Sequence, residues 1–477
     1  SPTRTAKSTK MSTQNSAKVA RIVARQARAL SAPNAFVPAT RRPGARFISG
    51  SGVQLSAEQG GKHNPFGGLG GGYYSDNTKG CYDVIQNAKP MMFEACAAVL
   101  AARAKRGAAA KNEPFVIADY GTADAGTSLP MMHELVAQIR KAEPSTPVVL
   151  AYEDQPQNDW TSVFRRLLGE IPSQAGFDHG GDNNTDAILD RFENVTMVAT
   201  GASFYRNCFP PSGVDLMFSA TAMHWFRKSP IDMQSVLHSA MLKKDAAEFK
   251  PYWDQADVDW RLILQQRAKE LKVGGRFGCV SFARTEDDYF LGKSSHVKQS
   301  MHGRFSDIWA NFASQGKISK EEYLSTNFPN QYRCMEEYLA PFGGAAGASS
   351  ETDAPIISAK AGGLAAKSMF EGLAVVGANY GETRCPYHVR WMAEAGERKA
   401  KGVDEAKAAR DHAKFFVPTT RTWSNSTFES GLSSKRTEAE RVQITQDMYQ
   451  QYEDEIALNP QDHAMDYQHV YLCIEKR

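Results

Sequence analysis

The sequence predicts an α/β fold built on a parallel sheet covered by helices on both faces. Three observations predict it. Short runs of strand length alternate with amphipathic helical stretches from about residue 89 to residue 285. Those runs are apolar throughout rather than at every second residue, the pattern of strands buried on both faces. One of them, FVIADY (115–120), stops at a carboxylate, Asp119, and opens into the small residues GTADAG. Ligand loops of open parallel sheets leave the carboxyl ends of strands in this way.

The elements follow in order. KPMMFEACAAVLAARAKR (89–106) is predicted as a helix, with Pro90 in the tolerated first turn. FVIADY is the first strand. SLPMMHELVAQIRKA (128–142) is a helix with an apolar face at Met131, Met132, Leu135, Val136 and Ile139. PVVLAYE (147–153) is a strand, and DWTSVFRRLLG (159–169) a helix. VTMVATGA (195–202) and VDLMFSATA (214–222) are strands, DWRLILQQRAKEL (259–271) is a helix, and GGRFGCVSFA (274–283) is a strand after a Gly-Gly turn. From about 286 the pattern changes. Residues 300–340 read as largely helical, 342–363 as a loop of small residues, 396–416 as a charged helix, and HVYLCIEKR (469–477) as a last strand. The expected organisation is a basic arm at 1–63, a core at 64–285, a helical cap with insertions at 286–430, and a return to the core sheet at 431–477.

Charge and composition narrow the function. The chain has 477 residues and a net charge of +3. Residues 1–57 hold ten Lys and Arg and no acid, so the remainder is mildly acidic. That argues against a nucleic-acid surface. No apolar run approaches the ~18 residues of a membrane span. The basic, Ala-, Arg- and Ser-rich arm has the composition of a transit peptide, which gives a mitochondrial or plastid expectation; a plain basic tail would leave the protein cytoplasmic. Seven Cys, at 81, 96, 208, 279, 334, 385 and 473, form no C-x-x-C pair. They suggest neither a disulfide framework nor a zinc site, and no metal is expected.

Four readings compete for the loop after Asp119. A P-loop needs Lys where Thr127 stands. A dinucleotide fingerprint needs Gly where Ala123 stands. A loop for S-adenosylmethionine, which has no phosphates, needs only close backbone approach at Gly121 and nearby carboxylates. A plain strand-to-helix turn needs nothing. The second strand ends in Glu153 and Asp154, where an acid can accept from both ribose hydroxyls. Together with a loop unsuited to phosphate, this favours S-adenosylmethionine.

The motifs KP (89–90), IADYG (117–121), EDQPQNDWTSVF (153–164), GASFYRNCFP (201–210), FSATAMHWF (218–226) and VGGRF (273–277) stand in the order and spacing of the plant-type SABATH methyltransferases. The chain resembles that family over roughly residues 67–340, as a distant member. The resemblance implies a class I (Rossmann-like) methyltransferase sheet with a helical substrate cap. It also implies S-adenosyl-L-methionine as cofactor, a small-molecule substrate and a homodimer, with no nucleic-acid or membrane partner.

By position, Tyr74 and Thr78 match the segment that closes over cofactor and substrate. Asp119, Gly121 and Thr122 match the loop at the methionine end. Asp154, with Gln155 beside it, matches the ribose-binding acid. Ser203 and Phe204 match the adenine contacts, and Tyr205 a residue nearer the methyl group. His224 and Trp225 match the substrate-facing pair and are the catalytic candidates. Two departures stand out. Cys81 replaces the family's carboxylate-binding Gln, and Thr221 replaces an aromatic. Lys79 is the candidate to supply the missing charge.

Plainer readings exist for each. Asn158 and Asp159 fit as caps of the helix near Trp160. Phe204, Tyr205 and Trp225 fit as core aromatics, and His224 as a buried structural histidine. Tyr74 fits as a packing ring, and Lys79 as a solvated cation. The expected activity is carboxyl O-methylation of a small acid. The lost Gln leaves N- or S-methylation open. A cofactor-binding protein without turnover is disfavoured by the retained Asp119, Asp154, Ser203, Phe204 and Trp225.

Overall fold

The structure is a computed structural model that describes residues 66–107, 110, 113–171, 187–297, 299–346 and 365–477. The basic arm at 1–63 and most of the small-residue stretch at 342–363 lie outside those residues.

The central sheet has seven strands: β1 (Phe115–Tyr120), β2 (Val148–Asp154), β3 (Val195–Gly201), β4 (Val214–Ala220), β5 (Leu271–Phe282), β6 (Leu373–Thr383) and β7 (Tyr467–Lys476). Their order is β3-β2-β1-β4-β5-β7-β6. The first five are parallel, and β7 runs antiparallel to both β5 and β6. The continuous apolar runs explain the centre: every residue of β4 is buried, whereas β3, at the edge, is mostly open along one face. The strand order changes direction between β1 and β4, and because these strands are parallel the loops after β1, β2 and β4 share one edge of the sheet.

Two helices cover one face, α2 (Lys79–Lys105), preceded by the short α1 (Tyr73–Asn77), and α3 (Leu129–Ala142). Met91, Met92 and Leu135 pack there with Ile117, Leu150 and Phe218. After α4 (Trp160–Leu167), α5 (Phe249–Glu270) covers the other face, with Trp260, Ile263 and Leu264 against Tyr120, Met217 and Phe277. The later segments add α6 (Met301–Ser314), α7 (Glu405–Gly431) and α8 (Glu438–Leu458).

Two expectations change. Pro90 lies inside α2 rather than in its first turn. Burial of Cys81, Val84, Ile85 and Ala88 carries the helix one-third of its length upstream, which outweighs the backbone bond that proline removes. The 286–430 stretch is not only cap, since β6 joins the core sheet. Its glycines 377 and 381, and a register shift between Val375 and Gly377, obscure the strand pattern.

Candidate active site

The pairings Asp119↔Tyr152 and Tyr120↔Glu153 bring the ends of β1 and β2 level. Gly121 turns the chain with φ +73°, and a methyl there would collide with Ala222 Cβ of the loop after β4. Only glycine gives both the left-handed backbone and that approach. Ala123 and Ala125 follow, also left-handed at φ 50° and 64°. Strained residues of this kind persist where surrounding contacts over-determine them, as in ligand loops.

Asp119 is buried and accepts from Ser128 Oγ at 2.6 Å and Thr122 Oγ1 at 3.1 Å. Thr122 therefore orients the carboxylate. Asp154 accepts from Ala123 N at 2.8 Å through Oδ2 and from Gln155 N at 2.7 Å through Oδ1. Each oxygen keeps a further lone pair for a ligand hydroxyl. Gln155 contributes this backbone N–H, while its side-chain amide accepts from Gln157 Nε2. Burial raises both acids to about 6; the bonds listed above pull the other way without cancelling it. A ligand that donates hydrogen bonds to these carboxylates favours their ionised forms. Affinity for S-adenosylhomocysteine is then expected to rise about tenfold per engaged carboxylate from pH 5 to 7 and to level off above. Calorimetry across that range checks this, and weaker binding at pH 7 than at pH 5 rejects it.

Ser203 and Phe204 follow β3. The Ser203 hydroxyl accepts from Tyr205 N at 3.4 Å, and the Phe204 carbonyl accepts from Arg267 Nη1 at 2.9 Å. Arg267 is buried beside Glu270, with Nε–Oε2 at 2.8 Å, and Glu270 also accepts from Tyr120 Oη at 2.6 Å. This buried pair anchors the Phe204 loop to α5 and β1. The sequence reading did not reach it, because Arg267 sits in a stretch that reads as ordinary helix surface.

Near the loop after β4 is a small cavity, about 420 Å³ of empty space when its open mouth is included. Six of the candidate residues line it: Tyr74, Thr78, Cys81, Thr221, His224 and Trp225. Thr221 is left-handed at φ 53°, and its N–H bonds to Val280 O at 2.9 Å. Tyr74 Oη donates to Cys81 Sγ at 3.8 Å, and Thr78 Oγ1 to Tyr74 O at 2.8 Å. Burial pushes the Cys81 thiol up to about 11, so it stays protonated at neutral pH. The His224 ring packs edge-on to Phe282, centroids 4.8 Å apart, and 5.4 Å from Trp225. The Trp225 backbone is fixed on two sides, bridged to Asn330 and with its carbonyl accepting from Tyr205 Oη at 2.6 Å.

Three expectations are corrected. Tyr205 is not among the residues that line the cavity; it is buried behind it and holds the Trp225 carbonyl and Asp259. Lys79 does not face the cavity either. Its Nζ pairs with Asp83 one turn along α2 and lies over the Tyr82 ring. Asp159 alone caps α4, accepting from Ser162 N at 3.1 Å, whereas Asn158 donates to Ala123 O at 2.6 Å and so braces the loop after β1.

The structure also shows how the Gly-rich entry segment closes over the site. Gly70 N donates to Asp159, Gly72 N to Ser162 Oγ, and Ser75 N to Asp124 Oδ2 at 3.0 Å. Arg166 Nη2 reaches Gly72 O at 2.5 Å, Asp76 at 3.0 Å and Asp124 at 3.1 Å. This strap carries Tyr74 and Thr78 into the cavity wall. The rest of that wall comes from residues distant in sequence, among them Tyr332, Thr419, Trp423 and Tyr467.

The family model for SAM dependent carboxyl methyltransferases matches residues 62–340. Anthranilate O-methyltransferase 3 of Zea mays is 22% identical over 270 residues, 54% of this chain and 66% of that protein. Methyltransferase LUC1 of a Fusarium species is 26% identical over 208 residues, 43% of this chain and 48% of that protein. The chain thus spans from 48% to 66% of the length of these curated relatives. A solved structure, loganic acid methyltransferase with SAH, superposes with a TM-score of 0.59 at 16% identity, covering 87% of this chain and 98% of that one. That likeness shows the class I fold.

Proposed function

Because the chain belongs to the S-adenosylmethionine-dependent carboxyl methyltransferase family, we propose that it methylates the carboxylate of a small organic acid. One observation carries this reading. Thr221, His224 and Trp225 of the cavity wall lie on the loop after β4, whose Ala222 packs against Gly121, and Asp154 braces the same Gly121 loop through Ala123 N, so acceptor and cofactor sites adjoin. The residues fit the cofactor: Asp154 has lone pairs left for ribose hydroxyls, Asp119 is a second acceptor near the end of β1, and Gly121 lets the loop after β4 pack against the loop after β1. When bound, S-adenosylmethionine supplies a methyl group made electrophilic by its sulfonium.

The protein's part is binding, alignment and exclusion of water. An acid is already ionised at pH 7, so no side chain has to remove a proton. Holding the reactants aligned can supply about 7–11 kcal/mol of the barrier reduction. The Trp225 indole N–H is a donor suited to a carboxylate oxygen. Asp154→Ala is expected to weaken S-adenosylhomocysteine binding about 10- to 150-fold, the loss of charge-assisted hydrogen bonds worth roughly 1.5–3 kcal/mol. Calorimetry checks it, and unchanged affinity rejects the ribose assignment. Methyl transfer from labelled cofactor into small acids, amines and thioethers tests the reaction itself; labelling confined to amines or thioethers replaces the carboxyl reading.

The family resemblance is the ground for expecting a homodimer, checked by sedimentation. The acid-free basic stretch at 1–57 supports delivery to a mitochondrion or plastid. A fluorescent fusion of residues 11–57 checks that, and a diffuse cytosolic signal rejects it.

A further inference from the structure

Three polar atoms on the cavity wall have no hydrogen-bond partner among the described residues: Trp423 Nε1, Tyr467 Oη and Thr419 Oγ1. All three atoms are buried; Thr419 is 0% and Tyr467 1% exposed. Thr419 stands beside the Tyr467 and Tyr387 hydroxyls without reaching hydrogen-bond geometry to either, and the Tyr387 hydroxyl donates instead to Asn77 O at 2.9 Å. Thr419 and Trp423 are four residues apart on α7 and so share one helix face. Tyr467 opens β7, and its ring stacks on Phe282 at 6.1 Å. It reaches the cavity past Gly80, where even a methyl group would collide with the phenol.

A phenylalanine at 467 and a valine at 419 would fill the same space without leaving buried polar groups unsatisfied, which is costly. Phe282 and Leu291 on the same wall have no acceptor to offer, and the polar side chains of that wall, Thr78, Cys81 and Tyr332 among them, make no hydrogen bond to these three atoms. They therefore match an acceptor that the ligand brings. They also stand on α7 and β7, apart from Trp225 and Thr221 on the loop after β4, where the reacting group belongs. No Lys or Arg is among the described residues that line the cavity. Burial holds the pKa of His469 and His238 down at about 3 and that of His302 well below its usual range, which favours their neutral forms. A second carboxylate would lack a counter-charge there; an uncharged oxygen would not need one.

The geometry points to a second recognition station, in which Trp423, Tyr467 and Thr419 bind an uncharged oxygen on the body of the acceptor acid. The enzyme then selects small acids that carry a hydroxyl, carbonyl or ether oxygen over their deoxygenated counterparts. This inference rests on the carboxyl-methylation reading above.

The test measures kcat/KM for methyl transfer from labelled S-adenosylmethionine into matched acids. Benzoate and phenylacetate are compared with each of their monohydroxy and monomethoxy derivatives, using the full chain. At least one oxygenated acid is expected to exceed its parent by about 10- to 100-fold, because the parent leaves buried donors unsatisfied. Trp423→Phe and Tyr467→Phe each keep a ring and remove the donor. They are expected to narrow that ratio about fivefold or more, chiefly through KM; the melting temperature is expected to hold in Tyr467→Phe, which keeps its ring, and to fall in Trp423→Phe, which also loses the indole's second ring from its packing against Phe305 and Phe328. Parents used as well as every derivative, or ratios unmoved in both variants, overturn the station while leaving carboxyl methylation intact. No turnover of any acid, by protein that still binds S-adenosylhomocysteine, overturns the carboxyl reading and this inference with it.

Discussion

Arg166→Ala is expected to destabilise the protein by about 3–5 kcal/mol, the cost of removing one partner from a buried ion pair. The Arg166 side chain is 1% exposed and Asp124 3%. One guanidinium nitrogen serves Asp124, Asp76 and the Gly72 carbonyl. Without it, Asp124 keeps its bonds from Ser75 and Gly126 but loses its counter-charge in a site water does not reach. The Gly72 carbonyl loses a buried donor as well. The strap then loses its hold on the loop after β1, and with it the placement of Tyr74 and Thr78. Urea melts of the variant are expected to show a lower midpoint, and calorimetry weaker S-adenosylhomocysteine binding. Arg166→Lys should recover part of both, because a lysine restores the charge but not the guanidinium's span. A midpoint equal to that of the wild type would show that the network adds nothing to the fold.

That network also shows where sequence reading stops. Arg166 lies in DWTSVFRRLLG, beside the more exposed Arg165, and nothing local distinguishes the two. What buries Arg166 is a strap ninety residues upstream. The strands were legible because central parallel strands need apolar side chains on both faces, which β1, β2 and β4 show. β6 was not, because its glycines and shifted register interrupt any simple period.

The candidate site divides in the same way. The cofactor loops follow directly from strand ends, so Asp119, Gly121 and Asp154 could be placed from the chain alone. Lys79 was misplaced because a helix phase was missing: with α2 starting at Lys79 rather than 89, the side chain meets Asp83 four residues on. The resemblance matches Tyr205 to a residue near the methyl group, but it is not among the residues that line the cavity and its hydroxyl donates to the Trp225 carbonyl. Thr419, Trp423 and Tyr467 carried no local signal at all. Only the folding of α7 and β7 onto the sheet brings them to the loop after β4.

Trp225→Phe is expected to lower methyl transfer by about 10²-fold while cofactor affinity holds, as for the loss of one donor that acts mainly in the transition state. The substitution keeps an aromatic ring, removes the indole N–H and gives up the bulk of the second ring. The ring should stay in place, because the backbone at Trp225 is held by the Asn330 bridge, the Tyr205 hydroxyl and its own N–H to Ala222 O. With cofactor saturating, the rate is also expected to be nearly flat from pH 6 to 9. A carboxylate acceptor is fully ionised below that range. The neighbouring His238 and His469, held at about 3 by burial, do not change charge within it. An amine acceptor would instead become reactive as its proton leaves, and the rate would climb with pH. The two measurements test different atoms: the variant tests the donor, and the profile tests the acceptor. A steep rise in rate, together with normal turnover by Trp225→Phe, would replace carboxyl methylation with methylation at nitrogen.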